Sequence, residues 1–99
     1  MNEDQNFFLV GGGTRFSTCL SVFLETNIKL SAVYISKDED YTSISKLLLK
    51  HKVKILKKWS SFIEKVNNSS NPIVFFISFN KVIEPKDFFC ARLVNYHAS

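Results

Sequence analysis

Residues Ile73-Val74-Phe75-Phe76-Ile77 are apolar without interruption, and so are Phe7-Phe8-Leu9-Val10 near the start of the chain. Side chains on a strand alternate between its two faces, so a strand apolar at every position must be covered on both sides. Such runs suit the middle of a parallel sheet with helices above and below. Between them the apolar period changes. Phe16, Cys19, Leu20, Phe23 and Leu24 fall at helical spacing, as do Ile44, Leu47 and Leu48, and then Trp59, Phe62, Ile63 and Val66. The spacing predicts helices over residues 15–26, 42–50 and 59–67. Strands are expected at 7–10, 30–35, 52–56, 73–77 and 93–96. Thr14 is the expected cap of the first helix, Thr42 or Ser43 that of the second, and Asn27 the stop of the first. Pro85 suits the first position of a short helix running through Phe89.

Strand and helix thus alternate along the chain, which is the grammar of βαβ units. The expected fold class is α/β: a Rossmann-like open parallel sheet of order 3-2-1-4-5 with helices on both faces. In such a sheet ligands sit beyond the carboxyl ends of the strands, where the strand order reverses. The loop Gly11-Gly12-Gly13, residues Ser78-Phe79-Asn80, and Asn95 with His97 all follow strands and are expected on that rim. Residues 1–5 are polar and expected to fray, leaving residues 6–99 as one folded unit without repeats or linkers. A chain this short buries about two-thirds of its surface, so its stability alone is expected to be marginal.

Hydrophobic content is 45%, net charge +4 and pI near 9.2. The excess lysine suits a solvated surface, an anionic ligand or a weak pull on nucleic acid. Trp59 and the phenylalanines are spaced for a core and not as a stacking platform for bases, so a nucleic-acid partner is not expected. Cys19 and Cys90 stand far apart in apolar surroundings, with no CxxC, which points to a reducing, cytoplasmic setting. The first residues lack a secretion signal, and no apolar run is long enough to span a bilayer. No His, Cys or carboxylate cluster has metal-ligand spacing. His51 reads as a surface residue near a helix end, Ser60-Ser61 as helix surface, Ser69-Ser70 as loop, and Tyr96 as core.

Gly11 and Gly13 match the first two glycines of a dinucleotide-binding loop, but Phe16 stands where the third belongs and Asp38 lies late for a ribose-binding acid. A nucleotide-binding half-domain stays open on that basis. Asn95 and His97 share one side of the last strand. A carboxamide and an imidazole there can polarise a carbonyl and move a proton.

The pattern Phe-Leu-Val-Gly-Gly-Gly-Thr over residues 8–14, then Ile77-Ser78-Phe79-Asn80-x-x-Ile83-x-Pro85, then Val94-Asn95-Tyr96-His97-Ala98-Ser99 resembles the amino-terminal half of the folate-dependent formyltransferases. That family includes methionyl-tRNA and glycinamide ribonucleotide formyltransferases. The glycine-rich start and the Asn-Tyr-His form are most similar to formyl-transfer domains attached to peptide synthetases. The most specific part is Asn-x-His-x-Ser after the Ile-x-Pro turn.

The resemblance implies that Asn95 and His97 are catalytic. It implies 10-formyltetrahydrofolate as formyl donor and a small-molecule or carrier-bound amine as acceptor. Gly11, Gly12, Gly13, Ser78, Phe79 and Asn80 become donor-binding candidates. The family's motif continues into Leu-Pro, and a downstream loop supplies an Asp. The sequence is therefore expected to be the front part of such a domain, partnered by a downstream half, weakly active or inactive alone and prone to self-association. A non-catalytic fragment or interaction module is the other reading of the same residues.

Overall fold

The structure is a computed structural model that describes residues 5–26, 28–36, 41–77 and 84–96, with Tyr41, Ser43 and Tyr96 described by their backbone alone. Five strands form one sheet: β1 (Asn6–Gly11), β2 (Leu30–Ile35), β3 (Lys54–Leu56), β4 (Pro72–Ile77) and β5 (Arg92–Tyr96). Their spatial order is β3-β2-β1-β4-β5 and every pairing is parallel, as the alternation of periods predicts. Helices α1 (Gly13–Glu25), α2 (Tyr41–Lys50) and α3 (Trp59–Asn67) join the first four strands, and a short 3-10 turn, Pro85–Asp87, precedes the fifth.

The sheet divides the core in two. On one face Phe8, Val10, Ala32, Tyr34, Val74 and Phe76 pack against Phe62 and Val66 of α3. On the other, Leu9, Val33 and Ile77 pack against Phe16 and Leu20 of α1 and Ile44 and Leu48 of α2. Alternation along β1 and β4 feeds both layers, which is why those two strands carry no polar residue beyond Asn6. Aromatic rings fill each layer. Trp59 stacks on Phe62 with centroids 5.5 Å apart, and Phe7, Phe23 and Phe75 form a triad on the opposite face. Among the described residues no polar or charged residue is buried.

Several sequence expectations need correction. Thr14 does not cap α1: the helix begins one residue earlier, at Gly13, and Gly12 is its cap, with no side-chain hydrogen bond. Thr14 turns its carbonyl to the Thr18 hydroxyl at 3.0 Å, as a residue inside the first turn does. Thr42 and Ser43 likewise lie inside α2, which starts at Tyr41. The predicted strand at 52–56 shortens to Lys54–Leu56, because Lys52 has φ 59°, a turn conformation that leads the chain out of α2. The helix expected through Phe89 is only the three-residue 3-10 turn. Cys90 is exposed rather than in apolar surroundings, whereas Cys19 packs against the core. Asn27 lies outside the described residues, and Thr26 closes α1.

Two asparagines fix the strands that sequence patterning leaves loose. Pairing of β1 with β2 slips between Phe7 and Phe8, so that Ser31 is an extra residue and Leu30 joins the same core layer as Phe7. The Ser31 hydroxyl donates to Asn6 Oδ1 at 2.8 Å, while Asn6 Nδ2 donates to the Ser70 carbonyl at 2.8 Å. Asn67, the last residue of α3, donates from Nδ2 to the Asp87 carbonyl at 2.9 Å and accepts the Phe89 amide on Oδ1 at 3.1 Å. That clamp holds the segment leading into β5, beside buried Phe88. Asn67→Ala is expected to cost about 1–3 kcal/mol, since it removes two hydrogen bonds to backbone groups, one of them part-buried. The denaturant midpoint would show the loss, and faster hydrogen exchange at Phe89 would localise it. Unchanged exchange there would rule the clamp out.

Candidate functional site

The strand order reverses between β1 and β4, and the candidate site lies at the carboxyl edge of the sheet around that reversal. Gly11 ends β1, level with Ile35 on β2 and Ile77 on β4. It is buried, and a Cβ placed there would overlap the Ile77 carbonyl oxygen and lie 2.8 Å from Phe16 Cδ1. Absence of a side chain at Gly11 therefore lets β4 and the first turn of α1 close on the end of β1. Gly12 is extended, with φ −168°, and Gly13 takes φ 87°, a backbone angle that L side chains resist. The two bring the chain from the strand straight into α1.

A helix leaves the amides of its first turn without intrahelical partners. The cap of α1, Gly12, has no side chain to offer them, and no acidic residue occupies the first turn. The positive end of the helix dipole lies at the reversal, directly behind the glycine turn, and a helix start of this kind favours negative or carbonyl oxygen. Arg15, exposed in the same first turn, adds positive charge.

Asn95 is the penultimate residue of β5, level with Phe76 of β4. Alternation puts it on the face of Leu93, which packs with the α3 layer, yet Asn95 itself is exposed. The strand thus leaves its core layer at its carboxyl end and delivers a carboxamide to the rim. Gly11, Ile77 and Tyr96 share one level across three strands. Strand spacing then separates the glycine turn from the end of β5 by about 10 Å.

Of the residues singled out from sequence, the structure brings Gly11, Gly12, Gly13 and Asn95 to this one edge. Ser78, Phe79, Asn80 and His97 lie outside the described residues, directly following β4 and β5 in the chain. His51 is exposed after α2, as its surface reading predicts. Sequence reasoning missed Asn67, whose clamp sets the path of β5. Its only sequence signal is its place at a helix end, which fits a cap as well as a long-range tie. No group of three or more His, Cys, Asp or Glu among the described residues could hold a metal ion, and no described helix is long and apolar enough to cross a membrane.

Comparison of the chain with protein-family models, with curated proteins and with solved structures gave no match.

Proposed function

We propose that this chain is the amino-terminal part of a domain that transfers a formyl group from 10-formyltetrahydrofolate to an amine. The observation that carries the reading is the position of Asn95. A carboxamide stands exposed at the carboxyl end of β5, on the same edge as the glycine turn and the start of α1. The motif Asn95-Tyr96-His97-Ala98-Ser99 that resembles the formyltransferases begins at that residue.

The residues on this edge fit such a donor in kind. Folate compounds offer flat hydrogen-bonding rings, a carbonyl and a carboxylate tail. The glycine backbone at the start of α1 would hold an oxygen of that set, and Ser78, Phe79 and Asn80, which follow β4 in the chain, are the further donor-binding candidates. The donor supplies an activated formyl carbon. Asn95 Nδ2 would donate to the formyl oxygen as negative charge builds on it, and one such donor is worth about 3–4 kcal/mol when well aimed. His97 would take the proton released by the attacking amine and pass it to N10 of the donor as the bond from that nitrogen to the formyl carbon breaks and tetrahydrofolate departs. Free Cys19 and Cys90 suit the reducing compartment in which this chemistry is proposed to run.

Binding provides the first test. Calorimetric titration with 5-formyltetrahydrofolate, a stable relative of the donor, is expected to show saturable binding. Asn95→Ala should leave the fold unchanged, because the side chain is exposed. It should lower the transfer rate about a hundredfold or more when the chain is joined to a downstream formyltransferase half. Binding of NAD with none of the folate would replace this reading with that of a nucleotide-binding half-domain.

A further inference from the structure

The far edge of the sheet from β5 has a different character. Of 13 basic and 9 acidic residues in the chain, seven lysines but only one acid, Glu64, fall between residues 46 and 65, so this stretch exceeds the whole net charge of +4. All seven lysines are exposed. They lie on and around β3, a three-residue edge strand that, among the described residues, has no strand on its outer side. Lysines on an edge keep other strands away. That role does not account for Leu49, which is 79% exposed in the midst of them.

Leu49 belongs to a groove of about 310 Å³ between α2 and β3, lined by Ser45, Lys46, Leu49, Val53 and Ile55. Ser45 and Leu49 are one helical turn apart, and Val53 and Ile55 are alternate residues leading into and along β3, so helix and strand each turn one stripe into the groove. Lys46 stands on its wall, and Lys50 follows Leu49 at the helix end. The floor is apolar and the rim cationic.

We propose that this groove docks an acidic segment of another protein, one that sets an apolar side chain against Leu49, Val53 and Ile55 and its carboxylates against Lys46 and Lys50. Charge complementarity selects the partner. A second copy of this chain would bring the same lysines face to face. The stretch contains no arginine for bidentate grip on phosphate, and Trp59 is stacked on Phe62 and packed against Tyr34 and Phe88, so it offers no open ring to a base. A membrane surface would meet one exposed leucine on a helix whose Ile44 and Leu48 are already buried in the protein.

The test is fluorescence anisotropy with a labelled peptide carrying a single leucine among glutamates and aspartates. Saturable, salt-sensitive binding is expected. The same peptide with alanine for leucine should bind several-fold less tightly. Joint reversal of Lys46→Glu and Lys50→Glu should weaken binding about tenfold or more, whereas Lys86→Glu, a single charge reversal outside the patch, should stay within about twofold. Leu49→Ala, at an exposed position that leaves the fold intact, should erase the preference for the leucine peptide. No binding, equal binding of the leucine and alanine peptides, or equal damage from Lys86→Glu would overturn the proposal. So would tighter binding of single-stranded DNA or of phosphatidylserine-containing vesicles under the same conditions.

Discussion

Gly11→Ala is expected to remove a large share of the protein's stability. The added methyl would overlap the carbonyl oxygen of Ile77 and crowd Phe16 Cδ1 at 2.8 Å. Neither neighbour can yield cheaply. Ile77 is backbone, paired in the middle of the sheet, and Phe16 is fully buried under α1. Relief requires the carboxyl ends of β1 and β4 to separate, or α1 to lift from the sheet. Overpacking of this kind costs 1–3 kcal/mol in forgiving cores and more where backbone is the obstacle. A domain of this size holds only about 5–10 kcal/mol in total. A loss of at least about 3 kcal/mol is therefore expected, read as a lower denaturant midpoint at unchanged slope. Gly13→Ala makes the comparison. Its φ of 87° strains an alanine by about 1 kcal/mol, a backbone cost alone, and it should fold. A Gly11→Ala midpoint equal to that of Gly13→Ala would sink the account of close approach.

On the proposed function, His97→Ala is expected to lower formyl transfer about a hundredfold or more when the chain is joined to a downstream formyltransferase half, the usual scale for a general acid–base group. The proposal gives His97 a proton to move and Asn95 a charge to stabilise. Because both act in one transition state, the double variant should lose less than the product of the single losses. The two also separate by pH. His97→Ala should remove the limb of the rate profile that belongs to imidazole titration, and Asn95→Ala should lower the whole profile without moving it. Rates near the unsubstituted level in either variant, with a competent amine acceptor, would refute the assignment.

Much of the fold can be read from apolar spacing, and the reasons differ from element to element. The bounds of β2 and α3 follow from sharp changes of polarity at their ends. Strand order follows from the βαβ alternation, because β1 and β4 have to be covered on both faces and so fall in the middle. Helix starts are less legible. Thr14 has the side chain of a cap, but Gly12 already places the turn, and a cap made only of backbone carries no side-chain signal. β3 shortens at Lys52 because a left-handed turn there depends on how α2 ends against Leu48, not on lysine itself. The ties made by Asn6 and Asn67 join residues far apart in the chain, and a single sequence holds no trace of such pairs. At the candidate site, residue types and strand ends were enough to put the glycines and Asn95 on one edge. Gly11 reads as a turn residue in sequence. Only the position of β4 reveals it as the point where two backbones nearly touch.

The central place of β1 also governs the order in which the chain can assemble. One side of β1 pairs with β2, the next strand made, but the other side waits for β4, whose partner of Asn6 is Pro72. During synthesis from the amino terminus, β1, α1, β2, α2 and β3 can collapse early as a half-sheet. That intermediate leaves the β4 side of β1 open, with Phe8 and Val10 lacking the cover of Phe76 and α3. Closure of that long loop is the entropically costly step, so folding is expected on the millisecond-to-second scale of sheets with distant pairings. Until Ile77 has emerged, the nascent protein carries its most adhesive edge uncovered, and that interval is when a chaperone would have most to hold.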